Sequence, residues 1–243
     1  MPGTLDALIL IAISFLTSAC TATVGLGGGI VLLAVMPAFL PPAAVIPVHG
    51  AVQVSSNLSR IWFGRHHAHW PIFWAFLAGA VIGAASGTEL IVRFSPDNLP
   101  LLLGTFILLV TWVPVPQRAF RVPGHFTVLG LVQTVLSLFV GATGPLTNAF
   151  LLRERLERDA LVVTHALFMT ATHLLKVVVF GVAGFAFAPY LPLIGGAIVA
   201  VTAGSWAGTR LRGRLSERLF RAVLKALVTV LALRMIAVAL ISG

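Results

Sequence analysis

The chain has 243 residues, 58% of them hydrophobic and 9% charged, with a mean hydropathy of +1.03 and a formal net charge of +9. Soluble domains carry charge on about a quarter of their residues, so this composition excludes a water-facing globule. The single cysteine, Cys20, excludes an internal disulfide and a cysteine metal cage, and the basic residues cluster in short loops, where topology and anionic lipid account for them without nucleic acid.

Apolar runs of about 20 residues, each long enough to cross ~30 Å of hydrocarbon, predict an all-α polytopic membrane protein of about eight transmembrane helices. The first runs from about Leu5 to Leu40 and is interrupted at Gly25–Gly29, with Pro41-Pro42 ending it. Met1–Asp6 lacks the basic flank of a cleaved signal peptide, so this span is expected to stay. The second covers Ala43–Gly64, followed by the loop Arg65–His69. The third covers Pro71–Arg93 and the fourth Leu99–Val113, with a connection from Pro114 to Pro123. The fifth, Gly124–Leu152, is broken at Gly141–Pro145 and leads into the charged loop Arg153–Asp159. The sixth, seventh and eighth cover Ala160–Val182, Pro189–Leu211 and Leu219–Ile241.

Eight spans place both termini on one side. The loops after spans three, five and seven hold Arg93, Arg153, Arg155, Arg158, Arg210, Arg212, Arg214, Arg218 and Arg221; the others hold Arg65, Arg118 and Arg121. This bias predicts that the first group is cytoplasmic, with both termini outside a bacterial inner membrane.

The chain repeats itself. Gly25 and Gly141 are each followed 24 residues later by a histidine, His49 and His165. A shift of 116 also lays Gly28 on Gly144, Asn57 on His173 and Arg60 on Lys176. Residues 1–117 and 118–243 are therefore expected to be two structural repeats in one membrane domain, with helices 1 and 5 broken at the Gly-rich segments. Parallel and inverted arrangements both remain open, because a re-entrant hairpin would invert the second copy. Gly83/Gly87 and Gly204/Gly208 read as helix-packing pairs.

Glycine weakens a helix by ~1 kcal/mol relative to alanine, so a glycine cluster in a span needs a use. Unwound backbone there must be buried in protein or line a wet cavity. The new half-helix begins with unpaired N–H groups and a positive dipole end, which suits a small anion. Candidate binding groups are the backbone at Gly27, Gly28, Gly29 and Ile30, and Thr143, Gly144, Thr147 and Asn148 around the second break. His49, Gln53, Asn57 and Arg60 share one helix face, and His165, Met169, His173 and Lys176 repeat the spacing, with Thr172 beside them. Ionisable groups on such a stripe face the bundle interior. The paired histidines are expected to contact the anion or carry a coupled proton, and Arg60 and Lys176 to attract the anion from one mouth. Interhelical hydrogen bonding and snorkelling at span ends are the competing readings for the amides and the two cations. Glu89 is a weaker proton carrier. His66, His67 and His69 read as an interfacial loop rather than a metal site, and neither metal nor cofactor is expected.

At Gly25–Gly29 with Pro37 downstream, and at Gly141–Asn148, the chain resembles the TauE/SafE sulfite exporter family, which includes toluene sulfonate uptake permeases; Pro145 departs from the first copy's further glycine. The resemblance covers nearly the whole chain. It implies a membrane transporter, not an enzyme, that moves sulfite, a sulfonate or a related small oxyanion or carboxylate, leaving the direction open. Ion or proton coupling is expected, since no ATP-binding loop is present. Partners are the anion and lipid, with a homodimer as one candidate assembly. The rivals are a passive anion channel and an intramembrane hydrolase using Ser55 or Ser56 with His165.

Overall fold

The computed structural model describes residues 2–24, 27–93, 99–113, 124–154, 156–211 and 217–242. Among these there is no strand. Ten helices follow in order: α1 (Thr4–Val24), α2 (Gly28–Val35), α3 (Pro42–Gly64), α4 (Trp70–Val92), α5 (Leu99–Trp112), α6 (His125–Val140), α7 (Gly144–Leu151), α8 (Arg158–Val182), α9 (Leu191–Arg210) and α10 (Glu217–Ser242). Four stretches are long and apolar enough to cross a membrane: Thr4–Thr23, Trp70–Val92, Asp159–Val182 and Ala188–Arg210. Shorter apolar helices cover Gly28–Ala38, Leu99–Trp112 and His125–Val140. The chain is a multi-pass, all-helical membrane protein.

Both expected breaks are present, and they reverse the chain rather than bend it. Gly27 caps α2 with φ 101°, and Gly141 ends α6 with φ 74°, both in the region that favours glycine. Gly25 and Leu26, at the first break, lie outside the described residues. On a continuous helix residues 17 and 28 would stand ~16 Å apart. Here the Gly28 amide donates to Thr21 Oγ1 at 3.0 Å, and a Cβ at Gly28 would collide with the Thr17 carbonyl. Across the second turn, Thr147 Oγ1 donates to Gln133 Oε1. Thus α2 returns beside α1, and α7 beside α6. Each expected single span is an antiparallel pair, because three residues between the helices, one of them a positive-φ glycine, suffice for a hairpin.

This reversal sets the direction of everything after it. Pro42 and Ala43 at the start of α3, Ile91 and Val92 at the end of α4, Leu99 at the start of α5 and Ala183 beyond α8 line one cleft, so these helix ends share a face. We call it the terminal face. The other face is marked by His69, whose amide donates to Thr164 Oγ1 near the start of α8, and by His125 at the start of α6, 3.3 Å from Glu154 beyond α7. We call it the distal face.

Small residues decide which helices touch. Gly79 and Gly83 of α4 press on the backbone of Thr127 and Leu131 in α6, and Gly130 of α6 on that of Phe76. Gly204 and Gly208 of α9 press on Phe15 and Ala19 of α1. Residue numbers rise together in both contacts, so α4 runs parallel to α6 and α1 parallel to α9. The expected packing role of the Gly-xxx-Gly pairs is what the structure shows. By contrast, Gly50 of α3 meets Lys176 and Gly64 meets Val163, so α3 and α8 are antiparallel; α5 and α10 are too, through Gly104 with Ala232 and Trp112 with Thr229. Helix α6 therefore crosses in the opposite sense to α1, and α8 opposite to α3.

The reversal also corrects the assignment of loops to sides. Arg65 and Arg153 lie at the distal face together, whereas eight simple crossings would separate them. Arg93 stands at the terminal end of α4, away from them. Arg118, Arg121, Arg155, Arg212 and Arg214 lie outside the described residues.

Candidate functional site

The antiparallel pair α3 and α8 presents two polar stripes to each other at mid-depth. An apolar cluster of Leu32, Leu33, Val45, Val48 and Leu103 packs on one side of them, and one of Phe76, Phe126, Leu151 and Phe168 on the other. His49, Gln53, Asn57, His165, Thr172 and His173 are all buried. So are both cations, with Arg60 8% and Lys176 0% exposed. Among the described residues neither cation forms an ion pair with a carboxylate.

The two histidines anchor the two short helices. His49 Nε2 lies 2.9 Å from the Gly29 carbonyl, and His165 Nε2 lies 3.2 Å from the Gly144 carbonyl. A carbonyl only accepts, so both rings donate through Nε2–H. The Gln53 amide stands 3.3 Å from His49 Nε2. The ring of His49 packs edge-on against that of His173, with centroids 5.6 Å apart.

The cations are held by neutral groups. Lys176 Nζ donates to the Gly141 carbonyl at 2.5 Å and to His173 Nδ1 at 3.2 Å. Arg60 donates through Nη2 to Asn57 Oδ1 at 2.6 Å and through Nε to the Ser56 carbonyl at 3.1 Å. Asn57 Nδ2 in turn donates to the Gln53 carbonyl. A buried cation without a counter-charge is costly, and carbonyl and amide dipoles offset only part of that cost.

Because α3 and α8 are antiparallel, the two cations sit at different depths. Lys176 is level with Gly50, and Arg60 is ten residues further along α3, a rise of ~15 Å along the helix. They do not share one mouth, and burial rules out snorkelling for both. Around them the short helices converge. Gly29 abuts Gln53, and from there α2 leads toward the terminal face; Gly144 abuts His165 and Met169, and α7 leads toward the distal face. Their positive ends face each other across the polar layer.

The backbone amides are less available than expected. Gly28 N–H is taken by Thr21, Ile30 N–H by the Gly27 carbonyl, and Leu146 and Thr147 N–H by the Thr143 carbonyl. Side chains are what remains: His49 Nδ1, Thr143 Oγ1 and Asn148 Oδ1 are buried without a hydrogen-bond partner among the described residues.

Further polar groups join from α1 and α6. Gln133 accepts from Thr147 and donates to Thr172 Oγ1 at 3.3 Å, while Thr134 Oγ1 is buried and, among the described residues, without a partner. Sequence reading passed over these residues. The 116-residue register carried the signal, since it lays Thr17 and Thr21 on Gln133 and Ser137.

Other candidates separate from this layer. Glu89 is exposed and paired with Arg93 at 2.7 Å, so it cannot carry a proton through the core. His66 and His67 are exposed, and no metal-binding group of side chains occurs among the described residues. Ser56 Oγ lies 3.2 Å from Ser18 Oγ, which also lies 2.8 Å from Ser205 Oγ; this hydroxyl cluster ties α1, α3 and α9 together.

In comparisons with known proteins, the family model described as sulfite exporter TauE/SafE matches residues 10–235. No curated protein and no solved structure matches the chain.

Proposed function

Because the chain belongs to the sulfite exporter TauE/SafE family, whose members are membrane transporters and not enzymes, we propose that it is a secondary transporter for a small sulfur-containing oxyanion or organosulfonate. One observation carries the reading: Arg60 and Lys176 are buried between α3 and α8 with no carboxylate beside them among the described residues. A small anion at mid-depth supplies the missing charge. Lys176 and Thr143 donate to it, Gln53, Asn57, Thr172, His173 and Asn148 line its surroundings, and Arg60, ~15 Å further along α3, attracts the anion at a second position on its path. The facing positive ends of α2 and α7 add to the attraction.

His49 is the proposed proton carrier. Its Nε2–H is committed to Gly29, and its Nδ1 has no partner among the described residues, so a proton taken there creates a second donor toward the anion. Anion and proton then move together.

Residues 1–117 and 118–243 act in this reading as inverted repeats. The opposed crossings of α1 and α6, and of α3 and α8, support it, as does the reciprocal packing of α1 on α9 and α6 on α4. The distal face, with Arg65, Arg153 and Arg210, is assigned to the cytoplasm, which leaves both termini outside.

The test is uptake by proteoliposomes of labelled sulfite, sulfate, thiosulfate and taurine, with internal pH followed by a trapped dye. The reading requires saturable uptake of at least one sulfur anion with a matching proton signal. Uptake without proton movement removes the coupling role of His49; no uptake of any of them removes the substrate class.

A further inference from the structure

All five tryptophans of the chain lie toward the distal face: Trp62 near the end of α3, Trp70 and Trp74 at the start of α4, Trp112 at the end of α5 and Trp206 near the end of α9. Each is exposed, from 45% at Trp70 to 69% at Trp62. Tryptophan at both interfaces is the usual belt, so a one-sided set needs a cause. The cations supply it. The Arg65 guanidinium lies 5.2 Å from the Trp62 ring centroid, that of Arg210 3.7 Å from Trp206, and Lys225 Nζ 3.8 Å from Trp112. The Trp112 indole is itself oriented by donating to Thr229 Oγ1 at 3.0 Å. Among the described residues none of these three cations is paired with a carboxylate, whereas Arg93, toward the terminal face, is paired with Glu89.

We infer that the distal face is a recognition surface for the headgroups of anionic phospholipids, with Trp62–Arg65, Trp206–Arg210 and Trp112–Lys225 as its three contact points. An indole settles at headgroup depth, and the cation stacked on it keeps N–H donors free for a phosphodiester. Zwitterionic lipid offers the same phosphate but cancels its charge with choline, so selectivity for net negative headgroups follows from charge complementarity. The three pairs sit on different helices, so the surface is a girdle rather than one pocket. Nothing in this inference depends on which anion is transported.

The confinement of tryptophan to one face gives the test its readout, since selectively excited tryptophan fluorescence reports that face alone. The full-length protein is reconstituted in phosphatidylcholine, and the fluorescence is quenched by added brominated phosphatidylglycerol or brominated phosphatidylcholine. Several-fold stronger association of the glycerol lipid is expected, falling toward parity in 0.5 M salt. Arg65→Gln/Arg210→Gln/Lys225→Gln should lose most of the preference, and Arg93→Gln should retain it. If the triple variant does not fold, Lys225→Gln alone should lower quenching of the wild-type set by a measurable fraction. Equal quenching by the two lipids, or a preference that survives the substitutions, overturns the inference.

Discussion

Lys176 reaches from α8 and donates a 2.5 Å hydrogen bond to the carbonyl of Gly141, the residue whose φ of 74° turns the chain from α6 into α7. One ammonium thus touches both the reversal and His173 beside it. The contact joins the proposed anion charge partner to the backbone that shapes the site.

Replacing that ammonium separates function from stability. Lys176→Met keeps the length and apolar stem, and removes a fully buried charge that has no carboxylate partner among the described residues. Truncating one member of a buried pair costs about 3–5 kcal/mol, but here no opposite charge is left behind. The Gly141 carbonyl and His173 Nδ1 lose their donor at a cost of about 1–3 kcal/mol, and relief of the buried charge offsets it. Thermal unfolding in detergent should therefore shift little, while saturable sulfur-anion uptake falls at least tenfold. A variant that transports normally would remove Lys176 from the site.

The histidine anchors predict a different pattern. His49→Ala and His165→Ala each leave a glycine carbonyl without its side-chain donor, at a cost of about 1–3 kcal/mol for a buried group left unsatisfied. Gln carries an N–H donor at similar reach, so His49→Gln should recover stability without recovering proton coupling. Denaturation midpoints and the trapped-dye signal read the two separately. Coupling that persists in His49→Gln would assign the proton elsewhere.

Helix contacts predict a sharp contrast between two glycines. A Cβ at Gly130 would collide with the Phe76 carbonyl, whereas one at Gly195 meets nothing within 4 Å. Gly130→Ala must push α4 and α6 apart, a strain of about 1–3 kcal/mol or more. Gly195→Ala should be neutral or slightly stabilising. Melting temperatures of the two purified variants check the difference; equal values would place the α4–α6 contact elsewhere.

Topology is open to chemical labelling. In a Cys20→Ser background, cysteines at His67 and Arg153 should label from the same side of the membrane, and one at Ala186 from the other. Eight simple crossings put positions 67 and 153 on opposite sides. A membrane-impermeant maleimide applied to intact and permeabilised cells distinguishes the two arrangements, and the side reached at 67 fixes which face is cytoplasmic.

Much of this architecture was legible in the sequence. The glycine clusters announced the breaks, and the spacing of His49, Gln53 and Asn57 announced a buried stripe. The sequence offered a re-entrant hairpin but could not choose it over a straight crossing, because Gly28–Ala38 is as apolar as the half-span it would continue, and hydropathy carries no direction. That one ambiguity moved Arg65 and Arg153 to opposite sides. Lys176 looked interfacial because it lies six residues from the end of α8; its depth depends on which residue of α3 it meets, and only packing shows that to be Gly50. Gln133 escaped notice for a similar reason, as a lone amide whose partners lie on α7 and α8.

The close embrace of α1 with α9, and of α6 with α4, limits how the molecule can move. Helix α1 grips α9 and α6 grips α4, so a cut at the connection between α5 and α6 would not yield two separable blocks. Backbone-to-backbone seams of this kind resist sliding, since Gly204 and Gly208 seat against Phe15 and Ala19 with no side chain to repack. Any cycle that opens the protein alternately to its two sides must carry these seams whole.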